Sequence, residues 1–249
     1  MVVTDSFTGL ENQGNEFVWV PVDDITSFTR TSFCGEGLTN ETTGSARFNK
    51  SWIDETKEEF TNLKASITKY KGFYFGRFET SKIPDIEANI AQVKRNYDPW
   101  VNINESAFTK SSTMYSQNNE YYNHISTHLV YPHEWDTALN WIIQTGGKTE
   151  AEIKQDSTNW GNYKVLVNLI NKSTIQKTGS MENNVANNIY DLAGNVSEYT
   201  QELNGVDSRI SIRGGDYTEN GDSKPAGSRS DVGGSKDYLG FRICMCINI

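Results

Sequence analysis

The stretch NIYDLAGNVSEY, residues 188–199, decides the fold of this chain. Asp191 and Glu198 are hard oxygen donors on either side of a glycine turn. Such a turn can point backbone carbonyls inward, and Ca²⁺ binds about six to eight oxygens, carbonyl oxygens included. From this spacing alone, a turn with two solvated carboxylates is the simpler interpretation. A cation site therefore needs support from the rest of the chain.

Three shorter motifs follow in order: IRGGDY at 212–217, GSRS at 227–230 and LGFR at 239–242. Together with the first stretch they resemble the formylglycine-generating-enzyme family, whose pattern is N-x-Y-D-[LM]-x-G-N-V-x-E-[WY], then R-G-G, then S-R, then G-F-R. Weaker matches lie upstream in the family's order, at Phe17–Pro21, Gly72–Glu79 and His128–Trp135. The resemblance covers nearly the whole chain, from about residue 16 to 245.

The resemblance implies a large, irregular variant of the C-type-lectin fold. We therefore expect an α+β protein with few helices and short antiparallel strands. Its 249 residues suit one large domain. Residues 1–15 are interpreted as an N-terminal leader, and 16–249 as the domain. The N-terminus has neither the basic nor the apolar region of a signal peptide, and it reads like a segment cut from a longer protein.

Local patterns predict several elements. Glu16–Val22 and Gly72–Glu79 are rich in β-branched and aromatic residues and predict strands. Apolar residues at helical spacing predict a helix over about 52–70, capped by Ser51 with Asp54. Two more helices are predicted, one after Asn104 and one over about 133–145 with the apolar stripe Trp135, Leu139 and Ile142. The polar residues 80–100 predict a surface excursion.

The resemblance also implies a metal site. Members of the family hold Ca²⁺ with the Asp or Asn of the first motif, two backbone carbonyls and the Glu. Carried over to this chain, the ligands are Asp191, the carbonyls of Gly194 and Val196, and Glu198. We therefore expect a structural Ca²⁺.

The family's reaction is not expected here. Its active members bind copper through two cysteines five residues apart and oxidise a substrate cysteine, and soft thiolates suit Cu(I). The matching positions in this chain fall at about Gly221 and Ala226, which cannot bind copper. We expect no copper and no enzyme activity of this kind.

Other chemistry has weaker support. His124 and His128 are four apart, but the sequence around them predicts a loop entering a strand, where they would not form a metal pair. Asp216 and Asp222 could pair as carboxylates, although no pocket for them can be inferred. Cys244 and Cys246 would share one face of a strand and are interpreted as buried small hydrophobes, with a disulfide from Cys34 to either left open.

A non-catalytic branch of the same fold suggests the function. Variable proteins of diversity-generating retroelements, often found in phage tails, carry a variable region between the R-G-G and G-F-R motifs. Here that region is residues 216–238, in which 13 of 23 residues are Gly, Ser, Asp or Asn. An ordinary polar loop fits this composition equally well. The predicted ligand-binding residues are Asp216, Tyr217, Glu219, Asn220, Asp222, Ser223, Ser230, Asp231, Ser235, Lys236, Asp237 and Tyr238.

The net charge of the chain limits which classes of partner are expected. The net charge of -9 disfavours nucleic acid and anionic membrane surfaces, and no apolar run is long enough to insert into a membrane. We expect a binding module for a protein or glycan receptor on a cell surface, located on a virion or extracellularly by family analogy. An oxidoreductase-like enzyme with an unknown substrate and a structural virion or adhesin domain remain alternatives. The sequence does not identify the ligand or the oligomeric state.

Overall fold

The computed structural model describes residues 1–6, 14–30, 56–84, 89–104, 106–115, 122–171, 173–203, 209–231 and 234–249. The α-helices in these ranges are α1 (Glu58–Tyr70), α2 (Ser106–Ser112), α3 (Pro132–Gln144) and α4 (Glu150–Lys154). The strands are β1 (Val2–Thr4), β2 (Glu16–Pro21), β3 (Gly72–Gly76), β4 (Ser81–Lys82), β5 (Ala91–Gln92), β6 (Ile125–Leu129), β7 (Leu166–Val167), β8 (Ile170–Asn171), β9 (Val185–Ala186), β10 (Ile189–Tyr190), β11 (Ser197–Leu203), β12 (Ile210–Arg213), β13 (Arg229–Asp231), β14 (Leu239–Phe241) and β15 (Ile243–Ile247).

The larger sheet has the strand order β1-β2-β3-β15-β6, and every neighbouring pair is antiparallel. Its strands are rich in β-branched and aromatic residues, which pack well on a pleated surface. The last strand, β15, lies inside the sheet between β3 and β6. Within the predicted leader, residues 2–4 pair with β2 as the edge strand β1, so part of the leader belongs to the sheet.

Helix α1 begins later than the predicted start at residue 52, because residues 56 and 57 form a turn. The predicted cap at 51 and 54 lies outside the described residues, as does Cys34. The helix ends where predicted, before Gly72. Lys71 adopts the left-handed conformation with φ of 66°, and its N–H donates to the carbonyl of Ile67.

The other two predicted helices are confirmed, with shifted ends. The Asn104 side chain accepts a hydrogen bond from the N–H of Ser106 at 3.2 Å, at the start of α2. Helix α3 begins at Pro132, where the Glu134 carboxylate accepts from the N–H of Tyr131 at 2.9 Å. After α3, Gly146 takes a φ of 74° and turns the chain away.

The main core lies between the larger sheet and helices α1 and α3. The predicted stripe of α3 is buried there, and Trp135 contacts Phe75 of β3 with ring centroids 6.0 Å apart. From α1, Phe60, Leu63 and Ile67 enter the same cluster. Full burial of each such side chain stabilises the fold by roughly 1.5–3 kcal/mol, so these contacts fix both helices on the sheet.

A second sheet carries the sequence motifs. Its order is β13-β12-β11-β14, with β11 and β14 parallel and the other pairs antiparallel. Few helices and short, mostly antiparallel strands confirm the predicted irregular α+β class. Among the described residues, no helix has the length and apolar character to cross a membrane.

The predicted surface excursion at 80–100 is wrong in part. Thr80, Ser81 and residues 91–93 are buried. The N–H of Thr80 donates to the carbonyl of Phe241 at 2.9 Å, and its own carbonyl accepts from the N–H of Trp100 at 2.8 Å. These polar residues can be buried because their backbone groups are paired with neighbouring segments.

Candidate functional site

The arginines of the three short motifs are buried inside the fold. Arg213, Arg229 and Arg242 are each at most 1% exposed. Asp136 of α3 binds two of them, with distances of 2.7 Å to Arg213 and 3.1 Å to Arg229. Glu202 of β11 binds Arg229 at 2.8 Å. We call these strands, α3 and their buried ion pairs the framework, because the pairs join α3 to β11, β12 and β13.

Arg242 joins the two sheets. Its Nε and Nη2 donate to both carboxylate oxygens of Glu198 at distances from 2.5 to 3.1 Å. Its Nη1 donates to the carbonyl of Gly76 at 3.0 Å, and its Nη2 to that of Tyr190 at 2.9 Å. One side chain thereby connects β3 of the larger sheet with β10 and β11.

Glu79 completes this buried cluster, and sequence reasoning did not single it out. It is 0% exposed and accepts hydrogen bonds from Nδ2 of Asn195 at 2.6 Å and from the N–H of Val196 at 3.2 Å. Burial raises the pKa of Glu79 well above its usual range, and the nearby carboxylates of Asp191 and Glu198 raise it further. No spacing in the sequence connects Glu79 with the motif it contacts.

The predicted calcium ligands lie in this cluster. Burial raises the pKa of Asp191 to about 6 and that of Glu198 to about 7, and Arg242 lowers both. The Asp191 carboxylate accepts from the N–H of Gly179 at 2.7 Å. Among the described residues, no three His, Cys, Asp or Glu side chains are grouped to hold a metal. Arg242 binds both Glu198 oxygens in this structure, and the calcium ion stays a prediction.

The residue types of the first motif are explained by its backbone. Asp191, Gly194 and Asn195 all have positive φ, at 58°, 72° and 62°. Gly, Asn and Asp are the residues that adopt this conformation most readily. At Gly194 a Cβ would lie 2.3 Å from the carbonyl oxygen of Asn162, so only glycine fits. The motif is therefore recognisable in the sequence because the backbone conformation allows few residue types at these positions.

The R-G-G motif makes the turn that leads into residues 216–238. Gly214 and Gly215 have φ of 89° and 70°. The Tyr163 hydroxyl lies 3.0 Å from the carbonyl oxygen of Gly214 and 2.9 Å from that of Lys224, and holds the two sides of the segment together. The turn directs the following residue, Asp216, toward a cleft.

This cleft, which we call the display cleft, has a volume of about 150 Å³. It lies on the second sheet and is lined by Ser197, Ile212, Gly215, Asp216, Glu219, Lys224, Ser228, Ser230, Asp231 and Tyr238. Five of the twelve predicted ligand-binding residues are among them: Asp216, Glu219, Ser230, Asp231 and Tyr238. The structure thus brings a substantial part of the predicted set around one concavity.

The display cleft is acidic. Three carboxylates line it, and its one lining lysine, Lys224, donates to the hydroxyl of Ser230 at 2.5 Å. Burial raises the pKa of the Tyr238 phenol, and the negative charges of Asp216, Asp237 and Glu219 add to the rise. Positive charge and hydrogen-bond donors on a ligand would be favoured here.

The twelve predicted residues differ in how exposed they are. Glu219, Asn220, Asp222, Ser235, Lys236 and Asp237 are exposed, and Tyr217, Ser223, Ser230, Asp231 and Tyr238 are partly exposed. Asp216 lines the cleft although it is only 3% exposed. Its carboxylate accepts from Ser197 at 3.0 Å and from the Thr218 N–H at 2.9 Å, so its main role is to hold the turn.

A hairpin made by β7 and β8 borders this region. Asn171 donates to the carbonyl of Tyr217 at 3.2 Å, and the N–H of Lys164 donates to that of Glu219 at 2.8 Å. The hairpin carries aliphatic side chains that are 48–91% exposed: Val165, Leu166, Val167, Leu169 and Ile170. In the sequence this was only a short apolar run. In the structure it is an exposed apolar surface beside the predicted binding residues.

Comparison with known proteins identifies the family. The sequence matches the Sulfatase-modifying factor enzyme 1-like domain over residues 112–247, more than half of the chain. The chain belongs to this family. No curated relative matches it. Among solved structures it is similar to the crystal structure of CarF, with 16% identity, a TM-score of 0.47, and coverage of 72% of this chain and 88% of that one. It is also similar to Treponema denticola variable protein 1, with 17% identity, a TM-score of 0.35, and coverage of 93% and 84%.

In this sulfatase-modifying-factor-like chain, the positions of the expected copper cysteines are tightly packed. At Gly221 a Cβ would lie 2.6 Å from the backbone nitrogen of Thr158. Ala226 is 0% exposed, and its N–H donates to the Ser157 hydroxyl at 2.9 Å. Neither position carries a metal-binding side chain. Cys244 and Cys246 are free and lie on β15.

The three histidines do not form a common site. His124 is exposed, whereas His128 is buried in strand β6 and contacts Glu134. His133 stacks on Phe28, with ring centroids 5.4 Å apart. Burial lowers the pKa of His133 to about 4, and the charge of Arg30 lowers it further. His124 and His128 are four residues apart, a spacing that brings two side chains together only on a helix. His128 lies in the extended strand β6, so the spacing does not pair them.

Proposed function

We propose that the chain is a non-catalytic binding module that holds its ligand at the display cleft and the exposed residues around it. The observation that carries this proposal is the convergence of five predicted residues on one cleft, while five more of the predicted residues are exposed in the same segment. A concave site with convergent polar groups is the usual form of a binding site.

The contrast between framework and cleft supports the proposal. Buried ion pairs hold the strands before and after residues 216–238 in place. Side chains on such a scaffold can change with little loss of stability, since they contact few other groups. Tyr217 and Tyr238 are partly exposed and can supply large, rigid contacts to a ligand.

Within the two ligand classes expected from the sequence, the hairpin favours a protein. Its aliphatic side chains are next to Tyr217 and have no role in the core. A cluster of exposed apolar side chains rimmed by polar ones is typical of a protein-binding surface. The acidic cleft beside it complements basic side chains on the partner.

A diversified phage or prophage protein is the setting that this arrangement fits. Such a protein varies its exposed contacts and conserves its framework, as the structure would permit here. The test is the DNA around the gene. We expect a neighbouring reverse-transcriptase gene and a near-identical template copy, differing mainly at codons for exposed residues of 216–238. A neighbourhood without either would contradict diversification and leave binding to be tested separately.

Binding itself is tested with protein and glycan arrays. The fluorescent chain, presented as a tetramer, should bind protein targets, and the triple variant Glu219→Ala, Asp231→Ala, Tyr238→Ala should lose the same signals. Lys69→Ala, on the exposed side of α1, is the matched control and should retain them. Unchanged binding by the triple variant would contradict the cleft, and signals on glycans alone would contradict a protein ligand.

Calcium enters this proposal only as a sequence prediction. A calorimetric titration of chelator-treated protein with calcium tests it, and heat that disappears in Glu198→Gln would support the predicted site. Catalysis of the family type is not proposed, because Gly221 and Ala226 stand at the expected cysteine positions.

A further inference from the structure

A second cleft lies on the larger sheet, away from the residues of the proposed function. This thiol cleft has a volume of about 170 Å³ and is lined by Glu59, Asn62, Ser126, His128, Cys246, Ile247, Asn248 and Ile249. It shares no lining residue with the display cleft. It brings together a cysteine, a histidine and a carboxylate.

Glu134 fixes the histidine. The Nε2 atom of His128 lies 2.9 and 3.0 Å from the two carboxylate oxygens of Glu134, and both side chains are at most 2% exposed. The carboxylate is itself held by the N–H of Tyr131 at 2.9 Å. A carboxylate on one ring nitrogen orients the imidazole and leaves the other nitrogen for a second partner.

Cys246 lies on the same cleft as this ring. In the pairing of β15 with β6, His128 is opposite Cys244 and Ser126 is opposite Cys246, so both cysteines lie on the face of the sheet that carries His128. The His128 ring and the Cys246 thiol both line the thiol cleft. Burial lowers the pKa of His128, but the neighbouring Glu134 and Cys246 together raise it well above its usual value.

The two cysteines differ in access. Cys246 lines the cleft, whereas Cys244 is 0% exposed and does not. Burial raises the pKa of Cys244 well above its usual value, and the charge of Glu134 adds to the rise. A thiol beside an imidazolium is the arrangement that stabilises a reactive thiolate, while a thiol buried near a carboxylate is inert.

We propose that Cys246 is a nucleophilic thiol, activated by His128 and positioned through Glu134, that exchanges with small disulfides entering the thiol cleft. The Cys246 proton passes to His128, and the thiolate attacks one sulfur of the disulfide. A new S–S bond to Cys246 forms as the old one breaks. The departing sulfur takes the electron pair and is protonated by the imidazolium, so one disulfide and one thiol give one mixed disulfide and one thiol.

The test measures the rate of mixed-disulfide formation with cystamine, by intact mass and peptide mapping, in a Cys34→Ser background. At pH 6 we expect native Cys246 to react at least about tenfold faster than free cysteine, because a thiol with an ordinary pKa near 8.5 is almost entirely protonated there. The rate advantage over free cysteine should be larger at pH 6 than at pH 8. A neutral probe, hydroxyethyl disulfide, should show the same profile.

Variants separate activation from access. Cys246→Ser should abolish the reaction, and Cys244→Ala, the control on the same strand face, should leave it unchanged. His128→Gln should lose the rate advantage over free cysteine and react more slowly at pH 6, with thermal melting checked to ensure that it folds. If His128→Gln fails to fold, the native pH profile decides alone. That profile reports the ionisable groups that face the pair: Glu59, Tyr131, Glu134 and Cys244.

Three outcomes would overturn the proposal. The native rate could rise tenfold per pH unit like an ordinary thiol, Cys244 could react as fast as Cys246, or modification could require denaturant. None of these results depends on binding at the display cleft.

Discussion

Charged residues in the framework and in the display cleft are close along the chain but differ completely in their surroundings. Arg213 is 0% exposed and is paired with Asp136, whereas Glu219, a few residues further on, is exposed. A charge removed from water must keep its partner, because an uncompensated buried charge costs several kcal/mol. An exposed charge is solvated with or without a partner. The same kind of substitution should therefore have very different effects in the two regions.

The largest effect is expected at Arg242. Arg242→Met leaves Glu198 buried without its ion pair and should lower the free energy of unfolding by about 3–5 kcal/mol. The matched control is Lys154→Met, which removes a salt bridge to Glu150 on the surface of α4 and should leave the urea midpoint nearly unchanged. Equal, small losses in both variants would remove the distinction between framework and surface charges.

A pair of glycines tests how far the framework depends on its backbone path. Gly194 and Gly146 have nearly equal φ, 72° and 74°, but only Gly194 has no room for a Cβ. Gly146→Ala should cost roughly 1–2 kcal/mol from the left-handed conformation alone. Gly194→Ala should cost about 1–3 kcal/mol more, because the added carbon overlaps the carbonyl of Asn162. Chemical denaturation of both variants measures the difference, and equal losses would contradict the packing argument.

His133 should make the framework sensitive to acid. Its pKa is lowered to about 4 in the folded state, so the unfolded chain binds the proton more readily and stability falls as pH drops below about 6.5. From pH 7.5 to 5 this loss should be about 2 kcal/mol. His133→Gln should remove that part of the pH dependence, and His124→Gln, at an exposed histidine, should not. Identical pH profiles for native protein and His133→Gln would contradict the assignment.

The smallest effects are expected at the rim of the display cleft. Asp222→Ser, Ser235→Asn and Asp237→Ser should each change the free energy of unfolding by no more than about 0.5 kcal/mol, because these side chains are exposed. Asp216→Ser, in the same segment, should destabilise clearly, since that carboxylate holds the turn. Large losses at the three rim positions would mean that this surface is not free to vary.

The sequence predicted the framework well because its motifs record backbone constraints. Asp191, Gly194 and Asn195 have positive φ, which few residue types adopt readily. Positions that accept few residue types can be recognised in the sequence as a motif. The stripe of α3 is visible in the same way, because one face of the helix is buried. The site could be located to a segment, residues 216–238, for the opposite reason: polar composition between two framework motifs indicates exposure.

What the sequence did not predict depends on contacts between distant segments. Glu79 lies far along the chain from Asn195, and no pattern joins them. The polar residues 80–100 are partly buried because their backbone pairs with β14 and with each other. Asp216 reads as a variable contact but is held by Ser197, a residue of the preceding motif. Such contacts become visible only when the chain is folded.

Because β15 lies between β3 and β6, the larger sheet can form only when the C-terminal part of the chain is present. Both β14 and β15 follow residues 216–238 along the chain, and β15 pairs with β3 on one side and with β6 on the other. A stop codon or a shifted reading frame anywhere in residues 216–238 removes that central strand. Such a product would leave β6 without a partner in the larger sheet and would expose one edge of β3, which keeps β2 on its other side. We therefore expect only chains that are translated through residues 216–238 in frame to reach the native fold.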